Sequence, residues 1–351
     1  MSGDTMWACR FHGARDLELV RVPLPVPLRG EVVVQTRAAS ICYSDIRVYL
    51  GQKHAVPNTT LGHEIAGEVA AVGEGVDDLA VGQSVAVYPI VACGRCVFCL
   101  QGRRNRCLSR VTLGYELDGG LAEYVRVPAA AVGQGHVMVL PQGLDFELAA
   151  MAEPFACTLN SIETCRVGAG ATVAILGAGP MGLMNLLVAR ALGASQVVVS
   201  DPVAERRQVA IELGATTALD PREQSLEGVV AGLTGGLGAD AVILTVGDAA
   251  ALPQAVAAAR RQGVVNLFAG CPPQSASSLD PNLIHYSEVV LTGKQNATPD
   301  QFRRGLGLMV SGQQVRRLVT DRFALSAVQE AFQARLGLAG LKSMIFPDSS
   351  P

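Results

Sequence analysis

The chain has 351 residues, more than one hydrophobic core usually holds, so its length predicts two domains. Hydrophobic residues make up 49% and charged residues 17%, which excludes an intrinsically disordered protein, because a disordered chain has too little apolar surface to offset the entropy of folding. The net charge of −3 gives no overall attraction for a polyanion, so we expect no nucleic-acid partner.

Two segments bear on the compartment of the protein. The first residues, Met-Ser-Gly-Asp, contain neither a basic stretch nor an apolar run, so we expect no secretory signal. The uncharged stretch between Arg166 and Arg190 is long enough to span a membrane, but five glycines and a proline interrupt it. We therefore expect this stretch to be buried inside a cytoplasmic protein that has no membrane partner.

The nine cysteines are too few for a disulfide scaffold in a chain of this length, and their odd number leaves at least one unpaired. Four of them lie within fifteen residues. This clustering indicates a metal site in a reducing compartment.

The predicted secondary structure changes character along the chain. Residues 31–38 and 65–88 predict short strands broken by glycines, which is typical of an irregular, mostly antiparallel β region. From about residue 171 onward, strands alternate with helices, which predicts an α/β fold with a doubly wound parallel sheet. The predicted elements there are a strand at 171–176, a helix at 180–192, a strand at 196–201, a helix from Pro202 to Leu213, strands at 240–246 and 263–269 with an alanine-rich helix between them, and a late helix that Ser326 caps and Gly337 ends.

A glycine-rich motif, Gly-Ala-Gly-Pro-Met-Gly, follows a predicted strand and opens a predicted helix. The first glycine permits a tight turn, the second lets the backbone approach a pyrophosphate, and the third lets helix and strand pack closely. The helix N-terminus then attracts the phosphates. The predicted cofactor-binding residues of this motif are Gly177, Gly179, Pro180, Met181 and Gly182.

Asp201 ends the next predicted strand, where a carboxylate accepts hydrogen bonds from an adenosine ribose. Because this carboxylate repels a 2′-phosphate, the sequence favours NAD over NADP as the cofactor. Arg206 and Arg207 lie close by in the sequence and keep NADP as the alternative.

Four cysteines follow the spacing C-x2-C-x2-C-x7-C, and they are Cys93, Cys96, Cys99 and Cys107. These short spacings let one loop fold its thiolates around a tetrahedral ion, and four sulfurs leave no position open for chemistry. An iron–sulfur cluster takes the same ligands, so the ligands alone do not separate the two. Of the two we predict a structural zinc.

A second candidate metal site combines residues that lie apart in the sequence. Cys42 is followed by Ser44 and Asp45, and His63 is followed by Glu64. Each of these two segments lies beside the end of a predicted strand. A thiolate, an imidazole and a carboxylate make a mixed site that leaves a coordination position for substrate or water.

Five motifs occur in one order: Cys42-x-Ser44-Asp45, Gly62-His63-Glu64-x-x-Gly67, the four-cysteine motif, Glu153-Pro154 and the glycine motif. In this order the chain resembles the zinc-dependent medium-chain dehydrogenases of the alcohol dehydrogenase superfamily, and the resemblance covers essentially its whole length. Glu153 stands where ethanol-type enzymes carry a second cysteine, so the pattern is similar to the sorbitol or polyol dehydrogenase branch.

The resemblance implies a GroES-like irregular β catalytic domain at residues 1–155 and 296–351. It implies a Rossmann-type NAD-binding domain, with a doubly wound parallel sheet, at residues 156–295. It also implies a homodimer or homotetramer, because a strand equivalent to the centre of 283–296 pairs across a subunit interface in this family.

The resemblance further implies two zinc ions per chain, one catalytic and one structural. The catalytic ligands would be Cys42 and His63, with Glu64 and Glu153 taking turns, and the four-cysteine motif would hold the structural ion. Asp45 would accept the other ring N–H of His63 and so fix its tautomer. Ser44 would take the proton of the substrate hydroxyl while hydride passes to the nicotinamide.

The implied reaction interconverts a secondary alcohol of a polyol, cyclitol or sugar-like substrate with its ketone. A threonine-type amino-alcohol dehydrogenase is the alternative, and a non-catalytic NAD(H)-binding relative is a further one. Two positions depart from the family pattern. Arg47 replaces a relay histidine and cannot shuttle a proton because it stays charged. Val48, next to Tyr49, replaces an aromatic residue that contacts sugar alcohols.

Overall fold

The computed structural model of the chain describes residues 5–347. These residues belong to two compact units: a first unit that runs up to Ala156 and resumes at Ala297, and a second unit, Cys157–Asn296. Among the helices of residues 5–347, none combines the length and the apolar character needed to cross a membrane.

Within the described residues the chain forms eighteen β-strands and twelve α-helices. The strands are β1 (Thr5–Gly13), β2 (Asp16–Pro23), β3 (Val32–Ser40), β4 (Thr59–Thr60), β5 (Glu64–Val72), β6 (Ser84–Val87), β7 (Ile90–Val91), β8 (Val111–Thr112), β9 (Tyr124–Val127), β10 (Val137–Val139), β11 (Thr172–Leu176), β12 (Gln196–Ser200), β13 (Thr217–Leu219), β14 (Ala239–Leu244), β15 (Ala259–Leu267), β16 (Val290–Gly293), β17 (Val319–Ala324) and β18 (Lys342–Phe346). The helices are α1 (Tyr43–Tyr49), α2 (Val97–Leu100), α3 (Ala129–Val132), α4 (Phe146–Ala150), α5 (Ala152–Thr164), α6 (Pro180–Ala191), α7 (Ala204–Glu212), α8 (Leu226–Leu233), α9 (Leu252–Ala258), α10 (Pro281–His285), α11 (Pro299–Ser311) and α12 (Val328–Leu336).

The first unit is built on a seven-stranded sheet in the order β10-β6-β5-β3-β18-β17, with β9 paired to β3. Its pairings are antiparallel except that of β17 with β18. Register shifts interrupt the pairing of β3 with β5 at two places. The irregular, mostly antiparallel β region predicted from the sequence is therefore confirmed.

Alternating apolar residues bury one face of this sheet. Val32 and Val34 lie two residues apart on β3 and so point to the same side of the strand, as do Val85 and Val87 on β6. All four are fully buried, and they pack in one core with Ile65 of β5.

The pairing of β3 with β5 places two distant segments side by side. Ser40 at the end of β3 lies opposite Glu64 at the start of β5. Cys42 follows the first of these residues closely, and His63 directly precedes the second. The antiparallel register therefore brings the predicted ligands of the mixed metal site together.

The second unit contains one six-stranded parallel sheet in the order β13-β12-β11-β14-β15-β16. All five residues of β11 are buried, as expected for a central strand covered on both faces. The strand order reverses direction at β11, and ligands of doubly wound sheets bind at the carboxyl ends of strands beside such a switch point. The glycine motif starts directly after β11, at this edge.

Two predicted helix starts were wrong. The helix predicted to begin at Pro202 begins at Ala204, because Val203 is extended and donates its backbone N–H to Asp201 at 2.8 Å. The late helix begins at Val328, and Ser326 does not cap it. Ser326 lies in a 3-10 turn, Leu325–Ala327, which turns the fully buried Leu325 into the core.

Candidate functional site

The mixed metal site predicted from the sequence is assembled in the first unit. Cys42 precedes α1, His63 precedes β5, and Glu64 is the first residue of β5. The ligand atoms of these three residues all lie within 4.8 Å of one another. His63 is 5% exposed and Glu64 is completely buried, so the group lies inside the unit.

Asp45 connects two of these ligands. Its Oδ2 accepts the backbone N–H of Cys42 at 2.9 Å, and its Oδ1 lies 3.0 Å from Nδ1 of His63. Nδ1 therefore carries the proton, which leaves Nε2 as the nitrogen that can bind a metal. Burial alone would lower the pKa of His63, but the Asp45 carboxylate and the Cys42 side chain together outweigh burial and raise this pKa well above its usual value.

Glu64 is paired with a cation far away in the sequence. Its Oε2 accepts a hydrogen bond from Nζ of Lys342 at 2.5 Å, and both side chains are buried. Its other oxygen, Oε1, is buried and has no hydrogen-bond partner among the described residues. Burial raises the pKa of Glu64, and the Lys342 ammonium opposes this rise.

These donors fit a zinc ion. A thiolate, an imidazole nitrogen and a carboxylate oxygen are all zinc ligands, and they bind the ion at about 2.0–2.3 Å. The buried and unpartnered Oε1 of Glu64 supplies an acceptor whose desolvation a cation would offset. The sequence reasoning did not identify Lys342, because nothing local marks a lysine in a C-terminal strand as a partner of Glu64.

Ser44 contacts a residue that the sequence reasoning also missed. Its Oγ lies 2.7 Å from the hydroxyl oxygen of Tyr115, and that oxygen lies 3.1 Å from Nδ1 of His63. Burial, followed by the Asp45 charge, raises the pKa of Tyr115 well above 10, so the phenol stays neutral. The side chain of Lys53 covers the Tyr115 ring, with Nζ 3.6 Å from the ring centroid.

Glycines bring the Tyr115 segment against the metal site. Gly114 has a φ of +88°, and a Cβ there would lie 2.8 Å from the carbonyl carbon of Gly62. Gly62 itself has a φ of +94°. The backbone preceding Tyr115 thus packs directly on the backbone preceding His63, which only glycine permits. The glycine before Tyr115 is the one sequence signal that could have pointed to this residue, and this signal was not used in predicting the site.

Glu153 lies on α5 and is 9% exposed, but it is outside the group of donor atoms that lie within 4.8 Å of one another. It is nevertheless near the site, because its charge raises the pKa values of Glu64 and Tyr115 and acts on Lys53. This position is compatible with a carboxylate that alternates with Glu64 as a zinc ligand.

The two departures from the family pattern have different surroundings. Val48 is completely buried in a core cluster, so it does not replace the missing aromatic contact. Tyr49 packs edge to face on Phe332 of α12, with ring centroids 5.8 Å apart. Arg47 is partly buried on α1. Its guanidinium stays charged, so it cannot shuttle a proton.

The four-cysteine motif brings its four sulfur atoms together. Its four Sγ atoms all lie within 4.8 Å of one another. The separation is 4.0 Å between Cys93 and Cys99 and 3.5 Å between Cys96 and Cys99. Four thiolates around one zinc ion lie about 3.8 Å apart when each Zn–S bond is about 2.3 Å long. The separations between these sulfurs are therefore close to those that a tetrahedral zinc site needs.

The backbone of this loop favours thiolates at two of its positions. The N–H groups of Arg95 and Cys96 lower the pKa of Cys93 to about 6. The N–H groups of Leu108 and Cys99 lower the pKa of Cys96. Burial instead raises the pKa of Cys99 to about 12, so a bound cation is what would hold that thiol in its anionic form.

The glycine motif forms the turn between β11 and α6. Gly177 has a φ of +102°, which only glycine adopts readily, and a Cβ at Gly182 would lie 1.8 Å from the carbonyl oxygen of Gly177. Gly179 caps α6 without a side-chain hydrogen bond, and a Cβ there would meet nothing within 4 Å. Pro180 and Met181 begin the helix. The open space over Gly179 and the helix N-terminus fit a pyrophosphate.

Asp201 ties this loop to the next strand. Its Oδ2 accepts the backbone N–H of Ala178 at 2.7 Å, and the side chain is 4% exposed. A carboxylate accepts about four hydrogen bonds, so acceptor positions remain for ribose hydroxyls. Arg207 donates to the carbonyl oxygen of Asp201 and to Oδ2 of Asp220, at 2.8 and 3.0 Å. Arg206 lies beside it on α7 and is partly buried.

Two family models match the chain. The model described as the alcohol dehydrogenase GroES-like domain matches residues 28–137, and the model described as zinc-binding dehydrogenase matches residues 180–311. The first range covers the mixed metal site and the four-cysteine motif, and the second begins inside the glycine motif.

The chain is 33% identical to a sorbitol dehydrogenase of Bacillus subtilis (strain 168), with 98% of each chain covered. It is 32% identical to an L-threonine 3-dehydrogenase of Bacillus licheniformis, with 99% of this chain and 100% of the relative covered. Among solved structures, a chain from Sinorhizobium meliloti 1021 that was assigned as a zinc-binding dehydrogenase and holds NADP is similar with a TM-score of 0.92 and 31% identity, covering 98% of this chain and 100% of that one.

These similarities extend over nearly the whole chain, and they confirm the resemblance and the α/β fold class inferred from the motifs. The chain therefore belongs to the zinc-dependent alcohol dehydrogenase superfamily of medium-chain dehydrogenases, a family of oxidoreductases that use zinc and a nicotinamide cofactor and act on small-molecule alcohols.

Proposed function

We propose that this enzyme oxidises a secondary alcohol of a polyol, cyclitol or sugar-like substrate to its ketone, and catalyses the reverse reaction, with NAD(H). The observation that carries the proposal is the compact group of Cys42, His63 and Glu64, which stands beside Ser44 and a buried Glu153 in place of a second cysteine. Sorbitol and threonine dehydrogenases among the relatives support a substrate with more than one polar group.

In this proposal Cys42, His63 and one of the two glutamates hold the catalytic zinc. Zinc, when bound, supplies a Lewis acid that polarises the substrate oxygen and lowers the pKa of the hydroxyl. Cys93, Cys96, Cys99 and Cys107 hold the structural zinc, and their fully coordinated set serves folding and not chemistry.

The chain's own residues prepare the site for proton transfer. Asp45 holds the His63 ring in one tautomer through the 3.0 Å contact between Oδ1 and Nδ1. Ser44 Oγ accepts the proton of the substrate hydroxyl and releases its own proton towards solvent along the cofactor ribose. The Tyr115 hydroxyl, 2.7 Å from Ser44 Oγ, fixes the orientation of the serine hydroxyl. Arg47 does not take part, because a guanidinium keeps its protons.

The glycine motif holds the dinucleotide. A bound NAD would supply the acceptor for the hydride of the substrate. Gly177, Gly179, Pro180, Met181 and Gly182 form the phosphate-binding turn at the start of α6. Asp201 accepts the ribose hydroxyls and disfavours a 2′-phosphate, and Arg206 remains the residue through which NADP would bind.

The two units take separate roles in the proposal. Residues 1–155 and 296–351 form the catalytic, zinc-binding domain, and residues 156–295 form the dinucleotide-binding domain. The chain assembles as a homodimer or a homotetramer through β16, which is the edge strand of its sheet and carries a half-exposed Val290. All nine cysteines lack a disulfide, which supports a reducing compartment such as the cytoplasm.

The test is a panel of alcohols assayed with NAD as matched pairs, each a vicinal diol and its mono-alcohol. We expect secondary carbons of polyols and cyclitols to be oxidised with far higher kcat/KM than ethanol. A carboxylate is a weaker zinc anchor than a thiolate, so it can yield room to a second substrate oxygen. Glu153→Cys should therefore reduce turnover of the diol more than turnover of the mono-alcohol.

Threonine and its analogues belong in the same panel, because a threonine-type amino-alcohol dehydrogenase is the second candidate. Highest kcat/KM on threonine would select that candidate. Ethanol as the best substrate, or equal losses on both members of each pair in Glu153→Cys, would contradict the polyol proposal. Zinc-loaded protein that binds NADH but oxidises no alcohol would indicate a non-catalytic relative.

A further inference from the structure

Lys53 places a positive charge beside the candidate catalytic residues, and no ion pair with it is formed within the described residues. It is partly buried, and its Nζ lies 3.6 Å from the centroid of the Tyr115 ring. Within residues 5–347 the ammonium has no hydrogen bond and no ion pair besides this contact with the ring. The Tyr115 hydroxyl in turn contacts Ser44 Oγ at 2.7 Å. The ammonium is therefore one aromatic ring away from the serine that we assign to proton transfer.

Lys53 is held in this position from two directions. Its backbone N–H donates to the carbonyl oxygen of Arg47 at 3.2 Å, which fixes the loop that follows α1. The ammonium also lies over the face of the Tyr115 ring, which is 6% exposed, and is held there by a cation–π contact. An ammonium that is tied down in this way loses little side-chain entropy when it binds a ligand.

The surroundings keep the charge without neutralising it by contact. Burial lowers the pKa of Lys53, while the negative charges of Cys42, Asp45, Glu153 and Glu116 act in the opposite direction. None of these four groups forms an ion pair with Lys53 within the described residues. A partly desolvated ammonium without a partner is the kind of group that recognises an anion, because its hydrogen-bond donors are otherwise unsatisfied.

We propose that Lys53 binds a carboxylate of the substrate, so that the substrate is a hydroxy acid and not a neutral polyol. This inference rests on the proposed alcohol dehydrogenase function, and it narrows the substrate class of the same site. The carboxylate would lie a few carbon atoms from the reacting alcohol, as it does both in a sugar acid and in a 3-hydroxy amino acid. Lys53 supplies hydrogen-bond donors and charge for it, while Tyr115 holds the ammonium in place.

The test compares substrates that differ only in the carboxylate. Gluconate and sorbitol form one pair, and L-threonine and 1-amino-2-propanol form the other. With the zinc-loaded wild-type enzyme and NAD, we expect kcat/KM for the acid to exceed that for its neutral partner in one pair, which also identifies the source of the carboxylate. Lys53→Met should then lower kcat/KM for the acid by roughly ten- to hundredfold, mainly through KM, because a hydrogen bond to a charged group is lost.

Two controls separate recognition from support of the ring. Lys53→Arg keeps the charge and should retain a large part of the preference for the acid. The neutral partner should change less than about threefold in Lys53→Met, because it makes no charged contact there. Equilibrium binding of the acid to the enzyme with NADH, measured by calorimetry without turnover, should weaken in parallel with the rise in KM.

The outcomes distinguish this inference from the proposed function. Equal losses for both members of a pair in Lys53→Met, or a wild-type enzyme that prefers both neutral partners, would overturn the role of Lys53 in binding a carboxylate while leaving the dehydrogenase function intact. An enzyme that oxidises no member of either pair, nor any alcohol of the broader panel, would overturn the proposed function itself.

Discussion

Glu64 and Lys342 form a buried ion pair across 278 residues of sequence, with 2.5 Å between carboxylate Oε2 and Nζ. The same ammonium lies 3.2 Å from the carbonyl oxygen of Ile41, directly before Cys42, a proposed zinc ligand. Lys342 therefore connects the last strand of the sheet to both segments that carry the mixed metal site. Because Oε2 is engaged by Lys342, Oε1 is the Glu64 oxygen that is available to bind a cation.

Lys342→Met should destabilise the protein by about 3–5 kcal/mol, because it leaves the Glu64 carboxylate buried without its partner. Thermal and urea unfolding of the purified variant would measure the loss. Adding Glu64→Gln to Lys342→Met removes the stranded charge, and we expect this double variant to regain a large part of the lost stability. A loss below about 1 kcal/mol in Lys342→Met would indicate that the pair contributes no more than a surface ion pair.

The two cysteine sites should respond differently to substitution. Cys42→Ser should abolish turnover while the fold and NAD binding stay largely intact, because a ligand of an open site serves chemistry. Cys96→Ser should lower the melting temperature, because a closed site contributes folding free energy. Elemental analysis should find close to two zinc ions in the wild type and one fewer in each variant. An unchanged melting temperature in Cys96→Ser would contradict a structural role for the loop.

Asp201→Asn should narrow the preference for NAD over NADP by roughly tenfold or more, because it removes the charge that repels a 2′-phosphate. The asparagine keeps an acceptor for the N–H of Ala178, so the turn of the glycine motif should hold. Asp201→Ala loses that acceptor as well and should raise KM for both cofactors. Steady-state kinetics with each cofactor decide the matter, and a wild-type preference for NADP would shift the assignment to Arg206.

His136 should make the protein less stable in mild acid. Burial lowers the pKa of His136 from 6.5 to about 4, and Arg104 and Arg303 act in the same direction. Between these two values the unfolded chain binds a proton that the folded chain does not, so stability falls as the pH falls. From pH 7 to pH 5 this group alone should cost about 2 kcal/mol.

His136→Leu should remove that part of the pH dependence. The ring is completely buried, and its two nitrogens have no hydrogen-bond partner in the described part of the chain, so the leucine sacrifices no hydrogen bond. Unfolding measured at pH 7 and pH 5 in both proteins provides the comparison. The same slope in variant and wild type would assign the acid sensitivity to other groups.

Some features of the site follow from the sequence because they are local. The four cysteines close on one another since spacings of two and seven residues keep their sulfurs in one loop. The turn from Gly177 to Gly182 follows from two steric needs that glycine meets: a φ of +102° at Gly177, and the close approach of Gly182 to the carbonyl oxygen of Gly177. Strands and helices beyond residue 171 were likewise predictable from periodicity, whereas the starts of α7 and α12 were not, because side-chain contacts of Asp201 and Leu325 decide them.

The grouping of the proposed catalytic residues depends on tertiary structure. Cys42 and His63 meet because Ser40 pairs with Glu64 in the register of β3 and β5, and periodicity does not encode the register between two strands. Tyr115 reaches Ser44 through the packing of Gly114 on Gly62, and Lys342 reaches Glu64 through the pairing of β18 with β3. The sequence by itself thus determined the types of the proposed ligands and the conformation of the local loops. Long-range strand pairing decided which polar side chains are buried together. This shared burial alters their pKa values and hence their chemistry.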